Sequence, residues 1–373
     1  MAVSSRSMTR QRDYSRLFIA LAVVAGVIAL APIVAAIAGV GGTKVGPKTA
    51  YATAPAGEYL VLGRTEGQVD IISVARRGST GSETEIVRVP HIDGYGTVGT
   101  VSPGGDRVAL VAVDGGTASH PVANLTVVDL ETGRLVRAAE NIATGTRPVW
   151  SPDGNAVVIT RQFGGDSPTG QVELLQVSAS GTKEELLHTF SDVLGAYPVG
   201  FDSNDHLVTV VLDGNGTSLF RDDANQPLSP NLTRDWQLSP DGKTIAYVEV
   251  NTSNGVQYLS STASLDGGGV SAQALTASVS ALGVAWNPAT NAVSFGVEPG
   301  SGPGNARVQA LSAASNEGFD VPMAFSESGQ ALVVTHWTGD SFQEPGRPQL
   351  QLVDNSGRIA FDTQTRFFGW ASR

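Results

Sequence analysis

Residues 150–161 read WSPDGNAVVITR, and residues 238–250 read LSPDGKTIAYVEV. Each places a large apolar residue before a Ser-Pro-Asp-Gly turn and an apolar strand after it. The turn letters have physical reasons. Pro fixes φ for the second turn position, Asp accepts local backbone hydrogen bonds, and Gly supplies the positive φ of a hairpin with a bulge. The pattern returns along the chain. Val101-Ser102-Pro103-Gly104-Gly105 precedes DRVALVAV, and Phe201-Asp202-Ser203-Asn204-Asp205 precedes HLVTVVL. Trp286-Asn287-Pro288-Ala289-Thr290 precedes NAVSFGV, and Phe325-Ser326-Glu327-Ser328-Gly329 precedes QALVVTHW. A partial copy, Ala54-Pro55-Ala56-Gly57, precedes EYLVLG.

The turns begin at 54, 102, 151, 202, 239, 287 and 326. Between them the chain alternates in short apolar, β-branched runs separated by Asp-Gly, Thr-Gly, Ser-Gly and Asn-Gly pairs, which read as strands and hairpins. Four strands in about 40–50 residues make a β-propeller blade. The residue before each turn forms a column: Val101, Trp150, Phe201, Leu238, Trp286, Phe325 and, at the chain's end, Trp370. Every member is apolar, as expected of side chains wedged between neighbouring sheets. Phe367–Trp370 resembles the stretch before a turn, but no turn follows. It is expected to supply the first strand of the blade continued by residues 58–63, which removes two free sheet edges. The spacing predicts an all-β, seven-bladed propeller over 54–373. Six blades is the alternative, because the interval from 202 to 239 is short.

These turn-and-strand units resemble the propeller repeat of the periplasmic Tol-system protein and related PD40-type (WD40-like) domains. The resemblance covers nearly everything after residue 50 and implies a TolB-like propeller. The Gly-His…Trp-Asp signature of WD40 repeats is missing. So is room for the separate α/β domain that precedes the Tol propeller, so the likeness is confined to the propeller.

Residues 17–40, LFIALAVVAGVIALAPIVAAIAGV, carry no charge. At about 1.5 Å per residue such a helix spans a bilayer core of about 30 Å. Arg6, Arg10, Arg12 and Arg16 precede it and only Lys44 and Lys48 follow closely. The positive-inside bias puts residues 1–16 in the cytoplasm, the membrane helix at 17–40, a linker at 41–53 and the propeller outside the plasma membrane. A cleaved signal peptide is the rival, with small-x-small sites at Ala36-Ile37-Ala38 and Ala50-Tyr51-Ala52. Typical signal cores are shorter than this one.

The chain has 24 basic and 35 acidic residues, a net charge of -11, and no Cys. Residues 1–48 carry a net +5, so the remainder carries -16. An acidic outer domain is a poor polyanion binder, which excludes nucleic acid as the expected partner. Lack of Cys excludes disulfides, thiol catalysis and a lipidated-cysteine anchor. Arg outnumbers Lys 20 to 4. Together with the repeat, that points to a bacterium with a GC-rich genome.

The five His (91, 120, 188, 206 and 336) form no metal-binding spacing. No nucleophile elbow occurs, and no cofactor or metal is expected. Asp213-Gly214-Asn215-Gly216-Thr217 has oxygens at alternate positions but lacks the terminal acid of a calcium loop, and reads more simply as a hairpin. Propeller ligands gather where first strands line the central channel. Residues a few places before the turns are the channel-mouth candidates: Tyr95, Arg147, Tyr197, Arg234 and Arg366. Three Arg and two Tyr suit a carboxylate, an acidic peptide or a chain terminus. The simpler alternative is pairing with local acids such as Asp235. Without a catalytic set, the expected role is a membrane-anchored interaction scaffold, or an accessory subunit of a membrane or envelope complex. A ligand-binding or enzymatic channel is the alternative.

Overall fold

The computed structural model describes residues 49–373 apart from 79–82, 118–119, 164–168, 254, 266–270, 275–280 and 300–316. The expected membrane helix, 17–40, lies outside the described residues. Among those described, no helix is long and apolar enough to cross a membrane.

The chain is an all-β propeller of antiparallel sheets. Six have four strands and one has two, and each is built from consecutive strands, with one exception. In the first sheet the C-terminal strand Thr365–Ser372 pairs with Glu58–Glu66, setting Leu60 opposite Trp370 and Val61 opposite Gly369. Counted as complete four-stranded sheets the blades number six, the alternative count. The count of seven is reached only with the two-stranded sheet, Ala281–Asn287 with Ala292–Val297. Residues 300–316, which follow that pair, lie outside the described residues.

The strand after the turn is buried on both faces in most sheets, as in Glu58–Glu66 and Ala156–Phe163, whereas Ala292–Val297 is mostly half-buried. Sandwiched between two neighbouring sheets, a strand buried on both faces reads as a near-continuous apolar run rather than an alternating one. The turns themselves are stapled by their Ser. Ser151 donates its hydroxyl to Asp153 at 2.6 Å and accepts the Ala156 N–H at 2.9 Å, while the Gly154 N–H donates to the Ser151 carbonyl at 2.8 Å. Ser239, Asp241, Gly242 and Thr244 repeat the arrangement.

Seven hydrophobic clusters are found among the described residues, and each contains one member of the column before the turns. The column residues wedge adjacent sheets together. Its three tryptophans also donate across the gap: Trp150 Nε1 to the Thr100 carbonyl (2.9 Å), Trp286 to Gln237 (3.1 Å) and Trp370 to Ala324 (3.3 Å). A buried indole N–H thus finds a partner on the neighbouring inner strand.

Part of the expected linker belongs to the fold. Ala50–Thr53 is a 3-10 turn with Tyr51 buried, its hydroxyl donating to the Gly105 carbonyl at 3.1 Å. Thr49 donates its hydroxyl to the Leu130 carbonyl at 2.7 Å. Gly105 and Leu130 lie at or beside turns of one sheet, so the chain enters the propeller on its turn face.

Candidate functional site

A central cavity of about 730 Å³ is lined from the inner strand of every sheet, the two-stranded one included. Its position follows from local geometry. The inner strands Gly195–Phe201, Leu232–Leu238, Ala281–Asn287 and Phe319–Phe325 each break register two to four residues before the turn. Thr365–Ser372 does so at Phe368. A bulge twists the strand and re-aims its side chains. Here it brings Val199, Asp235, Trp236, Gly283 and Met323 to the cavity wall. Pro198 and Pro322 sit beside these bulges, where a missing N–H costs no ladder bond.

A smaller cavity of about 370 Å³ adjoins, sharing Arg147, Met323, Thr335 and Phe367 with the first. Arg147 therefore faces both. Its side chain is enclosed by the propeller yet remains exposed, because its free surface looks into the cavities. Among the described residues its guanidinium has no ion-pair or hydrogen-bond partner. Burial without a countercharge lowers its pKa from the ordinary arginine value.

Tyr197 lines the larger cavity and stacks on Trp236, with centroids 5.1 Å apart and planes 29° from parallel. Burial raises its pKa, so the phenol remains a donor. The ring folds back over Gly195, where a Cβ would lie 2.6 Å from the hydroxyl oxygen.

Arg366 lines only the smaller cavity, and its charge is spent. It pairs with Asp70, a fully buried carboxylate, and donates to Thr65 at 2.7 Å. His91 Nε2 lies 3.4 Å from the same carboxylate. Burial pushes Asp70 up, but His91, Thr97, Arg366 and Thr65 together outweigh it and hold the carboxyl well below its usual range. Asp70 in turn raises His91.

Arg234 and Tyr95 line neither cavity. Arg234 Nε donates to its neighbour Asp235 at 3.1 Å, the local pairing the sequence offers as the simpler reading. Tyr95 packs against the cluster around Trp150. Sequence reasoning misses Trp236, Gln237, Met323 and Phe367, which line the larger cavity. The available signal was the Pro or Gly just upstream of the column residue, in YPVGF, LGVAW, VPMAF and RFFGW.

Among the described residues no group of three His, Asp or Glu is placed to hold a metal. Asp213 accepts the Asn215 N–H at 2.6 Å within a hairpin in which Asp213 faces Gly216. His336 lies 2.8 Å from the buried Asp320, which also binds Arg358.

No family model matches the sequence, and no curated protein is similar to it. Solved structures are similar in fold. TolB from Acinetobacter baumannii superposes at a TM-score of 0.52 with 14% identity, over 85% of this chain and 67% of that one. Oligogalacturonate lyase in complex with manganese gives 0.51 and 14%, over 79% and 90%. Prolyl oligopeptidase B from Galerina marginata gives 0.53 and 8%, over 82% of this chain and 48% of that one, so the chain spans about half its length. The fold is that of a TolB-like β-propeller, and proteins sharing it include enzymes.

Proposed function

We propose that this protein is a non-enzymatic bacterial interaction module, a sevenfold propeller held outside the plasma membrane by an uncleaved helix at 17–40. It serves as a scaffold or accessory subunit of a membrane or envelope complex, which it engages through its propeller faces and central cavity. One observation carries the reading: a cavity of about 730 Å³ lined from every sheet, with an Arg that has no partner among the described residues and an aromatic pair on its wall. That is a concave surface of mixed polar and apolar lining, able to hold and orient a ligand or a partner segment. The sevenfold count is supported by the inner position of Ala281–Asn287 and by its Trp286, which wedges and hydrogen-bonds like its equivalents. Acidity of the outer domain weighs against nucleic acid and anionic lipid as partners.

Purification of the full-length protein in mild detergent, with mass spectrometry of what accompanies it, tests the reading. A stoichiometric membrane or envelope partner is expected. A solitary protein with turnover of a small substrate would overturn it in favour of an enzymatic channel. Sequencing the amino terminus of the same sample checks the anchor, which is wrong if the mature chain begins near Gly39 or Thr53.

A further inference from the structure

We propose that the central cavity is a carboxylate site: Arg147 grips a terminal carboxylate whose aromatic or aliphatic body seats against Tyr197 and Trp236. The inference rests on the reading of the cavity as the binding surface and specifies what enters it. Its first support is charge. The outer domain is acidic, yet the acid lining the larger cavity, Asp235, is occupied by Arg234 at 3.1 Å and the Gly283 N–H at 2.8 Å. Arg366, on the smaller cavity, is neutralised by Asp70. Among the described residues lining the two cavities, the charge left over is that of Arg147. An entering anion can pair with that guanidinium without displacing a protein group.

The second support is shape. A planar guanidinium fork takes a carboxylate in two parallel hydrogen bonds, which an ammonium cannot reproduce. The Tyr197 ring, stacked on Trp236, adds a flat aromatic surface to the same wall. The remaining wall mixes apolar side chains, Met323, Val284 and Phe367, with the neutral polar Thr146, Gln237 and Thr335. The site therefore suits an amphiphilic monoanion better than a polyanion. Two sources share that chemistry, a free organic acid and the carboxyl terminus of a partner chain ending in an apolar residue.

Calorimetry on the full-length protein in detergent tests this with 3-phenylpropionate and its amide, and with acetyl-Ala-Phe and its C-terminal amide. Both acids are expected to bind, the amides about tenfold or more weakly. Tighter binding of the dipeptide assigns the site to a chain terminus, and tighter binding of phenylpropionate to a free acid. Arg147→Gln should abolish the preference for acid over amide while leaving the melting temperature unchanged, since no protein group is orphaned. Arg147→Lys should keep the preference in reduced form. No binding of either acid, equal binding of acid and amide, or an unchanged preference in Arg147→Gln overturns the proposal. The same two proteins separate its failure from that of the interaction reading. A partner captured equally by wild type and Arg147→Gln, with neither acid bound by the wild type, preserves the scaffold and sinks the carboxylate site. Acid binding without any captured partner does the reverse.

Discussion

Asp70 shows how much one residue holds at the seam where the chain's ends meet. Its carboxylate is fully buried and receives Arg366, from the C-terminal strand 296 residues away, as well as Thr65 and His91. Removing the charge leaves Arg366 and His91 enclosed without their partner. Asp70→Asn should therefore destabilise by about 3–5 kcal/mol, the cost of breaking a buried pair from one side. The loss depends on pH. Because Asp70 raises His91 above the ordinary imidazole value of 6.5, the pair's contribution is fully present below pH 6.5. It is lost as pH rises through the folded-state value. On the acid side Asp70 is depressed, so its contribution is complete above its ordinary 3.8 and fails only below that. Denaturant unfolding of wild type and Asp70→Asn from pH 5 to 8 should show the gap widest at pH 5 and narrowing upward. A constant gap would mean that His91 does not titrate with Asp70.

At the scale of the strand and turn, the Ser-Pro-Asp-Gly units link neighbouring sheets as well as neighbouring strands. Gly242 has φ +67°, and a Cβ there would press on the backbone of Asp202 (2.7 Å from its carbonyl carbon) and Ser203, in the turn of the preceding sheet. Gly67 has a similar φ of +63° with nothing within 4 Å. Gly67→Ala should cost only the left-handed strain, about 1–2 kcal/mol. Gly242→Ala should cost that plus about 1–3 kcal/mol of overpacking, read as a larger fall in denaturation midpoint. Equal losses would show that the turns do not bear on one another. Such turns were legible in the sequence because their chemistry is local, and so was the apolar column, since each member sits at a fixed offset from a turn. The cavity wall was legible only in part. Counting back from the turn assumes regular pleating, and a bulge shifts the lining by one to three residues, from Arg234 to Asp235, Trp236 and Gln237. The Asp70 cluster was not legible, because its partners come from distant parts of the chain. Arg147 and Arg366 look alike in sequence, and only the fold supplies an acid to Arg366 and, among the described residues, none to Arg147.

For the whole molecule, stability hinges on closure. The C-terminal strand contributes Phe368 to the cluster around Val61 and Leu110, and Phe367 and Trp370 to the cluster around Leu60 and Val333. It thus completes two inter-sheet interfaces while pairing along the length of Glu58–Glu66. Past it, Arg373 donates to the carbonyl oxygens of Tyr51 (2.5 Å) and Ala52 and lies 3.2 Å from Glu131, tying the entering segment to the same seam. Losing one buried aromatic costs about 3–5 kcal/mol, whereas a whole domain is stable by about 5–15 kcal/mol. Two such losses, the half-buried Trp370 and two opened sheet edges together reach the scale of the full stability. A chain shortened to end at Gln364 should therefore fail to give a cooperative melt and should bind a hydrophobic dye. By contrast, Arg373→Ala, which removes exposed and half-buried polar contacts and a guanidinium lying 5.5 Å over the Tyr51 ring, should fold and melt a few degrees lower. If the shortened chain unfolds in one sharp transition near the wild-type temperature, the sheets are stable individually. Ring closure would then contribute little, and the cavity's geometry would have to be held by the bulged inner strands alone.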